Sequence, residues 1–207
     1  MKKFFTYVPL QPPGGLKQYV YAPVGNERLR LEQTISFPIL TAIYGYSEEN
    51  EEIQVVVIQE DTENCKRNYA TFRKELESVC ARKNLHVDVV DMMIPSEQNV
   101  ATHSKTFVEL IDQVQDGDEL FVCITYGTKP QSVALRMAVQ YAYRVKNNVS
   151  IPCMVYGNIL RPDGESDQWR AQVCDETALV RLDEIVRILA DRRVENPRTV
   201  LSTILEM

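Results

Sequence analysis

LFVCITYGTKPQSVALRMAVQYAYRVK, residues 120–146, joins two periodicities through one abrupt change. Residues 120–124 are an unbroken apolar run, short and bounded by turn residues, as a strand buried on both faces requires. From Gln131 onward apolar side chains recur three and four apart, the pattern of an amphipathic helix. Between them stand Thr125, Tyr126, Gly127, Thr128, Lys129 and Pro130. A strand that ends in small, hydroxylated and cationic residues just where a helix begins points backbone N–H groups and about half a positive charge at its tip. Gly127 lets a ligand approach the backbone, Thr125, Thr128 and Ser132 add hydroxyls, Lys129 adds a full cation, and Pro130 stiffens the loop. Such a tip suits phosphate. Its spacing matches neither a Walker loop nor the G-x-G-x-x-G fingerprint, so ATP hydrolysis and ordinary NAD binding lose support.

Outward from this stretch, strands alternate with helices. Residues 3–11 read as a first strand ended by the PPGG of 12–15. Residues 17–31 alternate on both sides of Gly25 and Asn26 and read as a hairpin. A helix over 32–46, with Pro38 early, leads through the charged 47–52 loop to a β-branched strand at 53–59. A helix at 64–84, a strand at 86–94, a helix at 101–115 ended by Gly117, and the strand at 118–125 follow. Then come a helix at 131–148 and a strand at 150–158. Residues 160–172 are polar and read as irregular. Two helices close the chain, at 175–194 with Asp175 as cap and at 196–207 with Asn196 before Pro197. Strand–helix alternation at these spacings predicts parallel crossovers and a doubly wound α/β sheet, in which ligands lie at the carboxyl ends of strands near a topological switch point.

With 207 residues, 44% hydrophobic and 25% charged, the chain suits one globular domain with an appendage. No apolar run approaches the roughly 20 residues that cross a bilayer, and the first prolines come too early for a signal peptide, so a soluble cytoplasmic protein is expected. Five scattered cysteines without a C-x-x-C pair, two of them (Cys123 and Cys153) in strand patterns, read as core thiols. Two histidines, His86 and His103, cannot build a multi-histidine metal site. A net charge of −6 argues against a distributed nucleic-acid surface but leaves room for a small anion in one focused pocket.

Residues 124–158, ITYGTKPQSVALRMAVQYAYRVKNNVSIPCMVYGN, resemble the signature region of CRISPR-associated Rossmann-fold (CARF) domains, with a Thr-x-Gly-x-Lys turn after the fourth core strand and a helix beneath it. The likeness extends back through the SFPI helix and the IQVVVIQED strand and covers roughly residues 1–160. It departs where an acidic residue often opens the turn, since Ile124 stands there, and where Pro130 follows Lys129 directly. The resemblance implies a Rossmann-like domain over 1–160, with a hairpin insertion after its first strand, and a linker and C-terminal helices over 161–207 for dimerisation or connection to an effector. It implies a homodimeric sensor of a type III CRISPR antiviral system that binds cyclic tetra- or hexa-adenylate across its two-fold axis, without a cofactor, and signals to an effector in the same or another chain.

Carried over residue by residue, phosphate and ribose contacts fall to Thr125, Gly127, Thr128, Lys129 and Ser132. The loop after the first strand, with Leu10, Gln11, Gly14 and Gly15, becomes the second wall. Glu60 and Asp61 are set to face adenine amines or to cap a helix, and Tyr126 to stack on a base or cover the strand end. His103 and Ser104 lie at the same edge. Some relatives in that family are metal-independent ring nucleases; here that would set Lys129 at the phosphorus with Thr128 or Ser132 orienting the ribose, and no general base is evident. A Rossmann-like enzyme using another nucleotide is the third reading.

Overall fold

Phe4 and Phe5 are both fully buried. Neighbouring residues of a strand point to opposite faces, so the strand that carries them must be covered on both sides. A computed structural model, describing residues 1–162 and 169–205, shows how. The strands are β1 (Lys2–Tyr7), β2 (Tyr21–Val24), β3 (Glu52–Glu60), β4 (His86–Ile94), β5 (Glu119–Cys123), β6 (Ser150–Leu160) and β7 (Arg170–Asp175). The helices are α1 (Ile39–Tyr46), α2 (Glu63–Ala81), α3 (Val100–Asp112), α4 (Lys129–Val145), α5 (Thr177–Asp191) and α6 (Pro197–Leu205).

The strands form one sheet in the order β2-β7-β6-β5-β1-β3-β4. β1 pairs in parallel with β3 on one side and with β5 on the other. The chain therefore moves outward from β1 through β3 to β4, then returns across β1 to lay down β5 and β6. Among the described strands β6 and β7 form the one antiparallel pair, and β2, parallel to β7, shares its direction. Phe4, Val55, Val57, Phe121 and Cys123 face Ile39 and Ile43 of α1 and Phe72, Leu76 and Val79 of α2. Phe5, Val56, Ile58, Leu120, Val122 and Met154 face Leu110 of α3, Leu135, Ala138 and Val139 of α4, and Val180 of α5. The fold is thus α/β, doubly wound and mainly parallel, as the strand–helix alternation predicts. Phe4 stacks on Phe121 at 4.6 Å between ring centroids, which ties β1 to β5 at the point where the winding reverses. That reversal opens a crevice at the carboxyl ends of these two strands.

Three expectations are corrected. The 17–31 hairpin does not form. Its first arm is β2, which pairs in parallel with β7 at the sheet edge, and its second arm is a 3-10 turn at Glu27–Leu29. The alternation in ERLRL comes from Leu29 and Leu31 plugging the core on the α1 and α2 side, while Asn26 bonds to Tyr46 and Asp175 instead of closing a hairpin turn. The helix expected from residue 32 begins only at Ile39, because the residue before Pro38 is held out of helical geometry and Ser36 is taken by the carboxylate of Glu75. The stretch after Asn158 is not a linker as far as it is described. β6 runs on to Leu160 and Arg170–Asp175 is a strand inside the sheet, so the expected boundary at residue 160 falls within an antiparallel strand pair. The part of that polar stretch at 163–168, and the end of the last helix at 206–207, lie outside the described residues. α5 is joined to the body by Val180 in the core and by Arg144 of α4 paired with Asp183 and Glu184.

Candidate ligand-binding crevice

The turn after β5 is held from several directions. Ile124 N–H donates to Val155 O of β6 (3.0 Å), and the Thr125 hydroxyl accepts from Gly157 N–H (2.8 Å). Gly127 has φ +91°, and a Cβ there would lie 3.0 Å from Cγ of Tyr7, so the turn both requires the left-handed region and packs flat on the last residue of β1. Thr128 is the N-cap of α4 and shares a capping box with Gln131, whose Oε1 accepts from Thr128 N–H at 2.7 Å. Gln131 Nε2 in turn donates to Glu60 Oε1 at the end of β3 (2.7 Å), and Thr128 Oγ1 donates to Gln98 (2.9 Å). One polar chain thus crosses the carboxyl edge of the sheet from Glu60 to the start of α4. The hydroxyl of Tyr7, which donates to Gln131 O (3.2 Å), has its acidity pushed well below that of an ordinary tyrosine by burial and then by the charge of Glu60.

The loop after β1 is anchored just as firmly. Asn64, Arg67 and Asn68 in the first turns of α2 donate to the carbonyls of Pro9, Leu10 and Gln11. Gly15 N–H donates to Pro12 O (2.9 Å), and Gly14 at φ +74° is the third residue of that turn, a position only a left-handed residue fills easily.

These elements enclose two cavities with no lining residue in common. The first, about 610 Å³, is walled by the loop after β1, by Tyr21 of β2, and by the ends of β5 and β6. Gln11, Gly15, Thr125 and Tyr126 of the expected site line it, together with Lys17, Tyr19, Tyr21, Gly157, Ile159 and Trp169. The second, about 650 Å³, is an apolar groove between the first halves of α3 and α4, where His103, Ser104 and Lys129 meet Val100, Val108, Val133 and Met137. The turn at 127–128 divides them. Lys129, exposed at the first position of α4, makes no ion pair among the described residues.

Other expected residues are engaged by neighbours or lie on the surface. Glu60 is buried and bonded to Gln131, and Asp61 pairs with Lys66 at 2.9 Å on the surface; neither lines a cavity described above. Tyr126 turns its hydroxyl onto Ser36 O (2.7 Å) and its ring edge onto Phe37, and burial raises its pKa. Ser132 Oγ donates to Tyr126 O at 3.5 Å, Leu10 is exposed beside α2, and Gly14 lines a further cavity of about 470 Å³ with Arg67 and Asn68. The sequence reading missed Lys17, Tyr19, Tyr21, Ile159 and Trp169. The aromatic alternation of Tyr19 and Tyr21 is the trace of them in the sequence, and it fits a hairpin arm equally well. No family model matches the chain, and no curated protein matches it.

Proposed function

We propose that this chain is a ligand-binding sensor that holds a cyclic oligoadenylate across the axis of a homodimer and passes the binding event to an effector. The observation that carries the reading is the turn at 125–132. It stands at the reversal point between β1 and β5, opens a long helix at its N-terminus, and bears Lys129 free of any carboxylate among the described residues. A ring with one phosphate per nucleotide needs repeated positive sites, and a two-fold axis beside Lys129 would supply a matched pair. The groove next to Lys129 supports the choice of partner. Val100 is 81% exposed, and Val108, Val133 and Met137 are each more than half exposed, an apolar face that a second copy would cover. An acidic chain tolerates such a ligand because the field at the turn is local.

Binding is favoured over cleavage. The Thr128 hydroxyl donates to Gln98 and the Ser132 hydroxyl lies 3.5 Å from Tyr126 O, so each would have to turn from its present contact to orient an attacking ribose. The proposal belongs with the CARF resemblance in the 124–158 stretch and makes the chain part of a type III CRISPR response, with its effector in the same or another polypeptide. Titrating the purified protein with labelled cyclic tetra- and hexa-adenylate tests it. One ring should bind at two chains per ring, Lys129→Ala should lose at least about tenfold in affinity, and Val133→Asp should give monomers that bind weakly. Binding of neither ring, or undiminished binding by Lys129→Ala, overturns the proposal.

A further inference from the structure

The two edges of the sheet are built differently. At one end stands β2, four residues long with Pro23 inside it, which blunts an edge. At the other stands β4, nine residues without proline or glycine, paired with β3 on one side and with no strand on the other among the described residues. Its outward N–H and C=O groups therefore have no ladder partner. Charged side chains often guard such an edge, but the two carboxylates here are drawn inward over the sheet. Asp88 accepts from Gln54 of β3 at 2.7 Å, and Asp91 from Gln59 of β3 at 3.1 Å. Apolar surface shows around them: Val87, Val89 and Val90 are half-buried and Met93 is half exposed. A cavity of about 290 Å³ lies beside this edge, lined by Leu76 and Cys80 of α2 and by Val87 and Val89, with Arg73 and Glu77. It falls just under the ~300–1,000 Å³ of small-molecule sites and suits an apolar side chain.

We propose that the free edge of β4 takes an added strand, an extended segment of another protein that is apolar where it meets Val87 and Val89 and cationic where it meets Asp88 and Asp91. In this mode of recognition main-chain hydrogen bonds supply affinity and alternate side chains supply specificity. Charge selects the partner. Asp88, Asp91 and Glu77 set three carboxylates against the one guanidinium of Arg73. In register with β3, Asp88 lies beside Gln54 and Asp91 beside Val57, so the two carboxylates stand on opposite faces of the sheet. A matching strand therefore needs two cations three positions apart, with apolar residues between and outside them. A second copy of β4 does not meet that need. Paired antiparallel over most of its length, it would set Asp88 and Asp91 opposite, or one position from, their own copies, and like charges across a strand pair destabilise it. The proposed strand depends on neither the dimer nor the nucleotide of the proposed function.

The probe is a fluorescein-labelled peptide, threonine-valine-lysine-valine-valine-lysine-valine-threonine, which reads the same in both directions and so serves a parallel or an antiparallel strand. Anisotropy titration at low salt should show saturable binding, and replacing both lysines by glutamate should weaken it at least about tenfold. The double variant Asp88→Lys, Asp91→Lys, at two exposed positions and checked by circular dichroism, should lose affinity for the lysine peptide and gain it for the glutamate peptide. Residue-resolved amide exchange should show alternate amides of β4 protected when the peptide binds. N-methylation of one alternate set of peptide amides should abolish binding, while methylation of the other set should spare it, a parity that docking through charge alone does not give. The methylated peptides need no protein variant. No saturable binding at millimolar peptide, equal binding of the lysine and glutamate peptides, or an equal effect of the two methylated sets overturns the proposal. Protein dimers whose β4 amides are protected without peptide overturn it too, since a second copy would then be the occupant.

Discussion

Gln131→Ala cuts the polar chain that crosses the carboxyl edge of the sheet. It removes the Nε2 donor 2.7 Å from Glu60 and the Oε1 acceptor 2.7 Å from Thr128 N–H. Glu60 is 7% exposed, so water does not readily replace the lost donor. A hydrogen bond to a charged group is worth about 1.5–3 kcal/mol, and the lost half of the capping box about another 0.5–1 kcal/mol. The sum, about 2–4 kcal/mol, should appear as a lower urea midpoint with unchanged slope, followed by far-ultraviolet circular dichroism. A double-mutant cycle with Glu60→Gln separates the two parts. In the parent, Glu60→Gln weakens a bond that exists; in the Gln131→Ala background it removes a buried charge that has lost its partner, and should be neutral or stabilising. The same cycle tests whether Glu60 acts as a structural partner of Gln131. A loss below about 1 kcal/mol for Gln131→Ala, or a Glu60→Gln effect identical in both backgrounds, refutes the reasoning.

Gly127→Ala should destabilise by at least about 1–2 kcal/mol from its φ of +91° alone, with the 3.0 Å approach to Tyr7 adding to it; thermal unfolding measures this, and an unshifted midpoint contradicts the turn geometry. Alkylation of the native protein should label Cys174 first, because Cys65, Cys80, Cys123 and Cys153 are buried and burial pushes the thiols of Cys80 and Cys153 up to about 12. Prompt modification of all five cysteines without denaturant would contradict that packing. Acid should weaken the fold through two carboxylates. Hydrogen bonds from the Asn147 side chain and backbone hold Asp116 below its usual range. At Glu51 burial acts upward but is outweighed by Lys2 and the Glu48 N–H. Both release their protons more readily folded than unfolded, so their contribution is full above the ordinary carboxylate range of about 4 and fades as pH falls through the lower folded values. Urea midpoints measured from pH 6 to pH 3 should decline, and Asn147→Ala should flatten that decline.

Periodicity alone carried the core of the fold. The β-branched run of β3, the apolar run of β5, and the three-and-four spacing in α2 and α4 are local signals, because each element must bury its own face wherever it lies in the chain. The tip after β5 was partly legible: Gly127 for the turn and the hydroxyls and cation of Thr128 and Lys129 stand together in the sequence, whereas the start of α4 at Lys129 and its cap at Thr128 emerged only from the structure. What the sequence could not disclose was pairing between distant segments. β2 finds β7 across about 150 intervening positions, which no periodicity encodes. Tertiary structure also decided which polar residues remain available. Glu60 and Tyr126 look exposed and reactive in the sequence, yet Gln131 and Ser36 consume them, whereas Gln11, between a leucine and two prolines, keeps a buried acceptor unmet. A side chain's chemistry belongs to its residue type, but whether that chemistry is already satisfied depends on neighbours that only folding brings within hydrogen-bonding distance.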